Sequence, residues 1–394
     1  MKKQTIRDID LQKKRVFLRV DYNVQFTDGR ILDDHRLRES IPTIWALQGA
    51  GARIIICSHR GRPGGEVVEA LRNAPVAAHL AKLLETEVQS IPVCVGPEAQ
   101  AAADALQPGE ILMLENVRFH PEEEANVDEF SRQLARLADI YASDAFGTAH
   151  RAHASVVGVP KFIPGVAGLL MEREVDYLTR VTDNPERPFG LILGGAKVAE
   201  KLSILSYLCD IADVICVGGA IANTFFAAQG IDVGGSLAER DRIDDAFSVM
   251  RQAAERDNLR LVLPRDVVIS NPSGDIIEAV SVNRVPPGFR ILDIGPETIE
   301  DFRAALAPMR TVAWNGPMGF FEREPFDRGS LEVARILAAL PDATTVVGGG
   351  ETAAAVARAG VADQISHCST GGGASLRLLE GRSLPGLEVL ADAD

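Results

Sequence analysis

The sequence predicts an α/β protein of two domains, each with a parallel sheet flanked by helices, and three observations support this. Short runs rich in Val, Ile and Leu recur along the chain: RVFLRV, ARIIIC, EILML, DIYASDA, FGLILG, DVICVG, LRLVLP, TVAWN and TTVVGGG. The segments between them have helical periodicity, and this alternation is typical of parallel βαβ units. The length of 394 residues suffices for two or three domains with cores of their own.

The stretch 171–182 is predicted to be a connector helix. It contains MEREVDYLTRV, which has helical periodicity and no strand partner of its own, and two prolines follow it. We therefore expect an N-terminal domain at 1–170 and a C-terminal domain at 183–377.

Composition and charge exclude several classes of protein. The net charge is −14, so nucleic acid and anionic membranes are not expected partners. The five cysteines form no CxxC motif and are typical of buried reduced thiols. The segment MKKQTIRDID is too charged for a signal peptide, and the most apolar stretch, VICVGGAIANTFFAAQG, is better explained as a buried strand that enters a helix. We expect a cytoplasmic protein.

Basic side chains follow the predicted strands of the first half. For any single arginine, a solvated surface position is the default interpretation. Together, in an acidic chain, they favour a small polyanionic substrate, because the planar guanidinium suits phosphate and carboxylate groups. The basic residues are Arg36, His59, Arg62, Arg118 and Arg151. Asp21 and Asn23 follow the first strand and could accept hydrogen bonds from substrate hydroxyls, or could simply form a turn.

The motif HRAH raises the question of a metal site. His150 and His153 are three residues apart, but no cysteine or carboxylate pattern completes a zinc site. Arg151 lies between them and would repel a cation. The sequence therefore disfavours a metal at this motif.

The second half carries glycine at its strand ends and two lysines, Lys197 and Lys201, on one helical face. The segments GGAK, GGGE and STGGGAS each precede a helix-like run, and bare N–H groups at helix N-termini attract phosphate oxygens. Three such segments favour a nucleotide phosphate chain. Glu351 and Glu322 are then candidate metal and ribose partners, although each could also be an ordinary helix or surface charge. The two halves together predict a phosphotransferase, with both lysines on the transferred group.

These segments resemble the phosphoglycerate kinase family across the whole chain and in the family's order. The motifs that carry the resemblance are RVDYNV (19–24), SHRGRP (58–63), LENVRFH (114–120), DAFGTAHRAHAS (144–155), LGGAKVAEK (193–201), LDIGPET (292–298), WNGPMGFFE (314–322), GGGET (348–352) and STGGGASLRLLEG (369–381).

The resemblance implies two Rossmann-like domains joined by a connector helix with a hinge, and a C-terminal segment, 378–394, that packs back on the N-terminal domain. It implies a monomer that closes on its ligands. The expected reaction is the glycolytic one, a reversible phosphoryl transfer between ATP and the carboxylate of 3-phosphoglycerate, with Mg²⁺ as cofactor; in the other direction ADP and 1,3-bisphosphoglycerate react.

The resemblance also implies a role for each matching residue. The expected phosphoglycerate site, in the N-terminal domain, comprises Asp21, Asn23, Arg36, His59, Arg60, Gly61, Arg62, Arg118 and Arg151. The expected nucleotide site comprises Lys197, Lys201, Gly219, Asn315, Glu322, Gly348, Gly349, Gly350, Glu351 and Thr352. The groups expected to act on the transferring phosphoryl are Arg36, Lys197, Gly349 and Gly372.

Two departures from the family pattern concern the nucleotide site. Ile291 stands where the family usually has glycine near the adenine, and Glu351 stands where it usually has the magnesium-binding aspartate. Because glutamate keeps the charge, an active enzyme with Glu351 at the metal is still expected.

Two other functions stay open at this stage. A kinase of another small acid is disfavoured by the arginine cluster and the HRGR loop. A degenerate homologue kept as a binding or scaffold protein is disfavoured because Lys197, Lys201 and Arg36 are all present.

Overall fold

The structure is a computed structural model that describes residues 2–27 and 29–393, apart from the side chain of residue 200. The chain divides into two compact units. Unit 1 comprises Met1–Asp176 and Ser383–Asp394, and unit 2 comprises Tyr177–Arg382. Each unit is built on a six-stranded parallel sheet with helices packed on it, which confirms the predicted fold class.

The strands of unit 1 are β1 (Arg15–Arg19), β2 (Phe26–Thr27), β3 (Arg30–Ile31), β4 (Arg53–Cys57), β5 (Val88–Ser90), β6 (Ile111–Met113), β7 (Ile140–Ser143) and β8 (Gly165–Ala167). The parallel sheet has the order β5-β6-β4-β1-β7-β8, while β2 and β3 form a small antiparallel pair. In the centre, β1 pairs with β4 and β7. Its residues Val16, Phe17 and Leu18 are fully buried, as expected for a strand covered on both faces.

The helices that begin in the N-terminal segment of unit 1 are α1 (His35–Gly49), α2 (Ala74–Leu84), α3 (Pro97–Ala105), α4 (Pro121–Glu124), α5 (Asp128–Ala135) and α6 (Leu169–Thr182). This segment of unit 1 ends within α6. One core cluster joins the inward faces of α1 and α2 to the sheet, through residues such as Ile44, Leu47 and Leu80. The loops that leave the carboxyl ends of the strands are thus held on a rigid support.

The strands of unit 2 are β9 (Phe189–Leu193), β10 (Val214–Val217), β11 (Arg260–Val262), β12 (Asp266–Ser270), β13 (Ile277–Ser281), β14 (Arg290–Ile294), β15 (Thr311–Asn315), β16 (Thr344–Gly348) and β17 (His367–Cys368). Its helices are α7 (Val198–Leu208), α8 (Gly219–Ala228), α9 (Ile243–Ala254), α10 (Pro296–Leu306), α11 (Arg328–Ala338), α12 (Gly350–Arg358) and α13 (Gly372–Leu379). The parallel sheet has the order β11-β10-β9-β15-β16-β17.

Unit 2 also contains a second sheet that the sequence did not lead us to predict. Its order is β13-β12-β14, and both pairings are antiparallel. β13 is largely exposed and lacks the continuous apolar run that marks the nine strands predicted from the sequence. The sheet supplies residues to the candidate site below.

The last helix, α14 (Pro385–Glu388), belongs to unit 1. Backbone bonds tie this C-terminal segment to it: Gln4 N donates to Ala391 O at 2.8 Å, and Gly386 N donates to Ala149 O at 2.8 Å. Among the described residues, no helix has the length and apolarity needed to cross a membrane.

Candidate active site

In unit 1, loops from the carboxyl ends of two neighbouring strands bond to each other. Asp21 and Asn23 follow β1, and His59 and Gly61 follow β4. Asn23 Oδ1 accepts a hydrogen bond of 2.8 Å from Gly61 N, and Asp21 Oδ2 accepts one of 2.6 Å from Nη1 of Arg36, in the first turn of α1. In an open parallel sheet, this edge is where ligands bind.

A cluster of cationic side chains surrounds His59. Burial lowers the pKa of His59 well below its usual value, and the nearby charges of Arg19, Arg118, Arg36 and Arg151 lower it further. Burial also lowers the pKa of Arg118 to about 10, with Arg151 and Arg19 as the next causes. The structure thus brings together the predicted residues Arg36, His59, Arg118 and Arg151, in a protein whose net charge is −14.

Arg118 is the buried centre of this cluster. It is 3% exposed and lies in the turn after β6, where its amide bonds to the Asn116 side chain at 3.1 Å. Its Nη1 donates to Gly61 O at 2.8 Å, and its Nε lies 3.2 Å from the Glu124 carboxylate. Its Nη2 is buried and finds no hydrogen-bond partner among the described residues. An unpaired buried donor is costly, and a bound anion would satisfy it.

The histidines of HRAH lie beside the same cluster. The pKa of His153 is lowered to about 4, first by burial and then by Arg118 and Arg151. Neutral imidazole can ligate a metal, but the adjacent guanidinium groups oppose a cation here. The described residues contain no group of three or more metal-binding side chains.

The residues of the HRGR loop lie in different environments. The Arg60 guanidinium lies over the Phe26 ring, 4.4 Å from its centroid, and donates to Arg72 O, so it takes part in packing and not in the cluster. Gly61 has φ +61°, and a Cβ there would lie 2.9 Å from the Leu71 side chain. Arg62 is exposed to solvent.

Three buried residues of this region were missed from the sequence. Arg19, at the end of β1, is fully buried, with Nη2 3.4 Å from His59 Nδ1 and Nε bonded to Ser155 Oγ at 2.7 Å. Ser155 in turn bonds to the buried Glu123. An arginine at the end of the apolar run RVFLRV was the one available signal, since a buried cation requires partners.

In unit 2, the two lysines lie at the start of α7. Lys197 is the residue before the first helical turn, and Lys201 lies one turn later. Lys201 is buried, and its Nζ lies 3.5 Å from Asn315 O at the carboxyl end of β15. The helix thus places the Lys201 ammonium at the end of β15, while Lys197 is exposed at the N-terminus of α7.

Glycines allow three strand-end loops of unit 2 to touch. Gly195 N donates to Pro317 O at 2.7 Å, and Gly219 N donates to Met318 O at 2.9 Å. Gly219 has φ +61°, and a Cβ there would lie 2.5 Å from Gly195 N. The contacts therefore require a residue without a side chain at this position.

The loop after β16 contains the predicted residues Gly348, Gly349, Gly350, Glu351 and Thr352. Thr352 is buried, and its Oγ1 accepts a hydrogen bond of 2.8 Å from the amide of Gly316. Asn315 lies beside this loop, and its buried Nδ2 has no hydrogen-bond partner among the described residues.

Two helices begin here at open glycines. Gly350 starts α12 and Gly372 starts α13, and a Cβ at either glycine would meet no atom within 4 Å. Amides at uncovered helix N-termini can bind phosphate oxygens.

A cavity of about 670 Å³ opens between the two sheets of unit 2. Such a volume is within the range of small-molecule sites. It is lined by the predicted residues Gly219, Glu322 and Glu351, and its apolar wall includes Phe226, Leu237, Ile291, Met318 and Phe320. The wall residue Ile291 comes from the unpredicted antiparallel sheet, where its amide donates to Ser236 Oγ at 2.8 Å.

The carboxylates that line the cavity are suitable ligands for an Mg²⁺ ion that is also bound by the phosphates of a nucleotide. Glu351 and Glu322 are exposed carboxylates on its lining. Magnesium usually keeps several waters and takes one or two carboxylates plus substrate phosphates, so a full protein cage is not required.

Comparisons with known proteins agree with this arrangement. The family model "Phosphoglycerate kinase" matches residues 6–382. The chain is 51% identical over 394 residues to the phosphoglycerate kinase of Pelotomaculum thermopropionicum, and 50% identical over 394 residues to that of Moorella thermoacetica, with 100% of each chain covered. The solved structure of phosphoglycerate kinase from Coxiella burnetii superposes with a TM-score of 0.87 at 38% identity, with 98% of both chains covered. The chain therefore belongs to the phosphoglycerate kinase family, and its function is the glycolytic phosphoryl transfer of that family.

Proposed function

We propose that the basic cluster of unit 1 binds 3-phosphoglycerate and that the glycine-rich loops of unit 2 bind ATP, so that a phosphoryl group passes reversibly between ATP and the substrate carboxylate. The observation that carries the proposal is Arg118. A buried guanidinium with an unpaired Nη2, close to Arg19 and Arg151, is best satisfied by an anion. The chain as a whole is acidic, so the cluster is a local feature.

Within this proposal, the arginines divide the substrate between them. Arg62, Arg118 and Arg151 hold the distal phosphate, and Arg36 contacts the reacting carboxylate end. Asp21 and Asn23 lie at the same strand end, where they accept hydrogen bonds from the substrate hydroxyl. The domain that contains this site is proposed to comprise 1–170 together with 378–394.

The nucleotide site is proposed to lie in 183–377. The base enters the apolar cavity beside Gly219, and Glu322 accepts from the ribose. Asn315 and the loop of Gly348, Gly349, Gly350 and Thr352 border the phosphate chain. Lys201 binds the nucleotide phosphates in the ground state. Lys197 contacts the phosphoryl group while it is transferred.

The proposed chemistry requires no general base. The acceptor is a carboxylate, which is already ionised at pH 7. Phosphoryl transfer then depends on positioning and on neutralising charge in the transition state. Lys197 and Arg36, with the amides near Gly349 and Gly372, are the groups proposed to supply this stabilisation.

Glu351 is proposed to hold Mg²⁺ together with the nucleotide phosphates. When bound there, the ion would supply positive charge that neutralises the phosphate groups. Glu351 needs only to keep its carboxylate directed at that position, by direct contact or through a water.

Closure about the connector helix 171–182 is proposed to exclude water from the reacting groups. Small-angle scattering with neither ligand, either ligand and both ligands tests this, because only the ternary state is expected to reduce the radius of gyration. An unchanged radius under confirmed turnover conditions would argue against closure. A monomer in the cytoplasm is also proposed, and light scattering of the purified chain tests the first point.

A coupled assay of ATP consumption tests the substrate. 3-Phosphoglycerate should be phosphorylated, whereas glycerate, which lacks the distal phosphate, should be a poor acceptor. Equal rates with both would favour a kinase of another small acid. No turnover, with both ligands bound in calorimetry, would favour a binding or scaffold protein.

A further inference from the structure

A buried chain of hydrogen bonds leads to His59. Its members are Glu123, Ser155, Arg19 and His59, and none is more than 3% exposed. Ser155 donates to Glu123 twice, from its amide at 2.8 Å and from Oγ at 2.6 Å. Arg19 Nε donates to Ser155 Oγ at 2.7 Å, and Arg19 Nη2 lies 3.4 Å from His59 Nδ1. The four residues therefore form one continuous relay.

Chemistry fixes the direction of the last link. A guanidinium carries only donors and cannot accept a hydrogen bond. Nδ1 of His59 must therefore act as the acceptor opposite Arg19 Nη2. A hydrogen on Nδ1 would face the guanidinium hydrogens directly.

The nearest carboxylate, that of Asp21, is too far from Nδ1 to accept a hydrogen bond from it. Asp21 Oδ1 lies 3.8 Å from His59 Nδ1, which is beyond hydrogen-bond reach, and Asp21 Oδ2 is engaged by Arg36 at 2.6 Å. The ring is also neutral, because burial and the surrounding arginines hold the pKa of His59 well below its usual value. A neutral ring with an accepting Nδ1 carries its hydrogen on Nε2.

We propose that Glu123, Ser155 and Arg19 are positioning residues that hold His59 in the tautomer with its hydrogen on Nε2. Glu123 orients the Ser155 hydroxyl, Ser155 and the carbonyl of Val20 accept from Arg19 and orient it, and Arg19 selects the tautomer. The ring then offers a donor to the oxygen-rich substrate, whereas the other tautomer would offer a lone pair. This last consequence rests on the proposed function.

The ring nitrogens can be observed directly by NMR in the full chain with ¹⁵N-labelled histidine. His59→Gln identifies the His59 signals. At neutral pH, without substrate, we expect Nδ1 in the unprotonated range and Nε2 in the protonated range. Ser155→Ala removes the acceptor of Arg19 Nε and should shift both signals toward a mixture of tautomers, whereas Ser155→Thr keeps a hydroxyl and should restore them.

Ser131→Ala is the matched control. Ser131 is also fully buried in unit 1, and its hydroxyl donates to Val127 O at 3.1 Å, outside the relay. The loss of a buried hydroxyl there should leave the His59 signals unmoved. In the assay, Ser155→Ala should raise KM for 3-phosphoglycerate between about 2-fold and 10-fold, the range for one hydrogen bond, without changing KM for ATP.

A wild-type spectrum that shows the hydrogen on Nδ1, or a cationic ring, would overturn the proposal. This measurement does not depend on the folding of any variant. An unchanged His59 spectrum in Ser155→Ala would also overturn it. The tautomer is read without substrate, so this result is separate from the assay. If the tautomer is as proposed but His59→Gln leaves KM for 3-phosphoglycerate unchanged, it is the assignment of His59 to the substrate that fails.

Discussion

Arg36 Nη1 donates a hydrogen bond of 2.6 Å to Asp21 Oδ2, which joins the first turn of α1 to the loop after β1. The Asp21 side chain is 9% exposed and that of Arg36 is 32% exposed. The carboxylate thus fixes one edge of the guanidinium, and the remaining N–H groups can bind an anion.

Replacement of Arg36 by Met should lower kcat by about 10²-fold to 10³-fold, the cost of losing one preorganised donor to the transition state. Steady-state kinetics with 3-phosphoglycerate and ATP measures this. Arg38→Met is the control on the same helix, because Arg38 is exposed and bonds to Asp34 at 2.7 Å and 2.9 Å. A rise in KM alone for Arg36→Met would contradict its role at the reacting end.

Lys197→Ala should lower kcat by about 10²-fold to 10³-fold with a smaller change in KM, because Lys197 is expected to act on developing charge. Lys201→Ala should instead weaken ATP binding in calorimetry, since Lys201 is buried against the backbone of Asn315. Lys82→Ala, at an exposed position of α2, is the control. A Lys197 variant that keeps kcat and loses only affinity would refute this division.

Substrate should change the pKa of His153, and with it the pH dependence of the stability of unit 1. The pKa of His153 is about 4, below its usual 6.5, because of burial, Arg118 and Arg151. Protonation therefore favours the unfolded chain, and the free energy of unfolding should fall as the pH falls from about 6.5 to about 4. A bound anion offsets the arginine charges, so 3-phosphoglycerate should raise the pKa of His153.

NMR titration of His153 with and without saturating 3-phosphoglycerate measures this change. His120 is the internal control, because burial is the main cause of its lowered pKa and its ring packs on Phe130. Its titration should hardly move. If the two histidines moved equally, or if neither moved, the phosphate would not lie beside Arg118 and Arg151.

Much of the sheet framework could be predicted from the sequence because its strands are buried on both faces. All nine apolar runs contain a strand. The strands β5, β8 and β17 are only two or three residues long and carry no such signal. In the antiparallel sheet, β13 is mostly exposed and carries no such signal, whereas the central strand β12 is a mostly buried run, DVVIS, that was not predicted from the sequence.

The candidate site was predictable where its residues follow a strand or match a family motif, as with Arg118 and Lys201. It was not predictable where a role depends on tertiary contact. Arg19 and Ser155 are 136 residues apart, and Ser155 and Glu123 are 32 apart, so no local pattern links them. Arg60 is the opposite case: it lies in the HRGR motif, yet its guanidinium packs on the Phe26 ring.

Gly219→Ala should destabilise unit 2 more than Gly230→Ala. Both glycines have positive φ, +61° and +78°, and that strain costs about 1–2 kcal/mol for alanine. Only at Gly219 would the Cβ also lie 2.5 Å from a backbone atom, Gly195 N, whereas at Gly230 it meets nothing within 4 Å. The added clash should cost a further ~1–3 kcal/mol.

Urea unfolding in a Trp45→Phe background measures this, because fluorescence then reports only the buried Trp314 of unit 2. Calorimetry should also show weaker ATP binding for Gly219→Ala. Equal stability losses for the two glycine variants would mean that the strand-end loops can move apart freely.

Glu351 is in the first turn of α12 and lines the cavity of unit 2. If it holds Mg²⁺, Glu351→Gln should raise the magnesium concentration needed for half-maximal rate, because the amide removes a negative ligand from the ion. Glu351→Asp keeps the charge and should be nearly neutral, since a water can bridge the shorter side chain to a hydrated ion.

The competing explanation is that Glu351 only favours its helix N-terminus, a surface effect of about 0.3–1 kcal/mol. Glu297→Gln makes the same change in the first turn of α10, where the carboxylate also lies 3.4 Å from Arg265 Nη1 in an exposed ion pair. An ion pair of this kind contributes at most about 1 kcal/mol, so the variant measures the helix effect together with that small contribution. Magnesium titrations at saturating substrates, with thermal unfolding of each variant, separate the two explanations. A Glu351→Gln enzyme with unmoved magnesium dependence and a stability loss equal to that of Glu297→Gln would show that Glu351 is not the metal residue. A shifted dependence without such a loss would place the ion beside this carboxylate, because a helix charge acts on folding and not on the affinity for the ion.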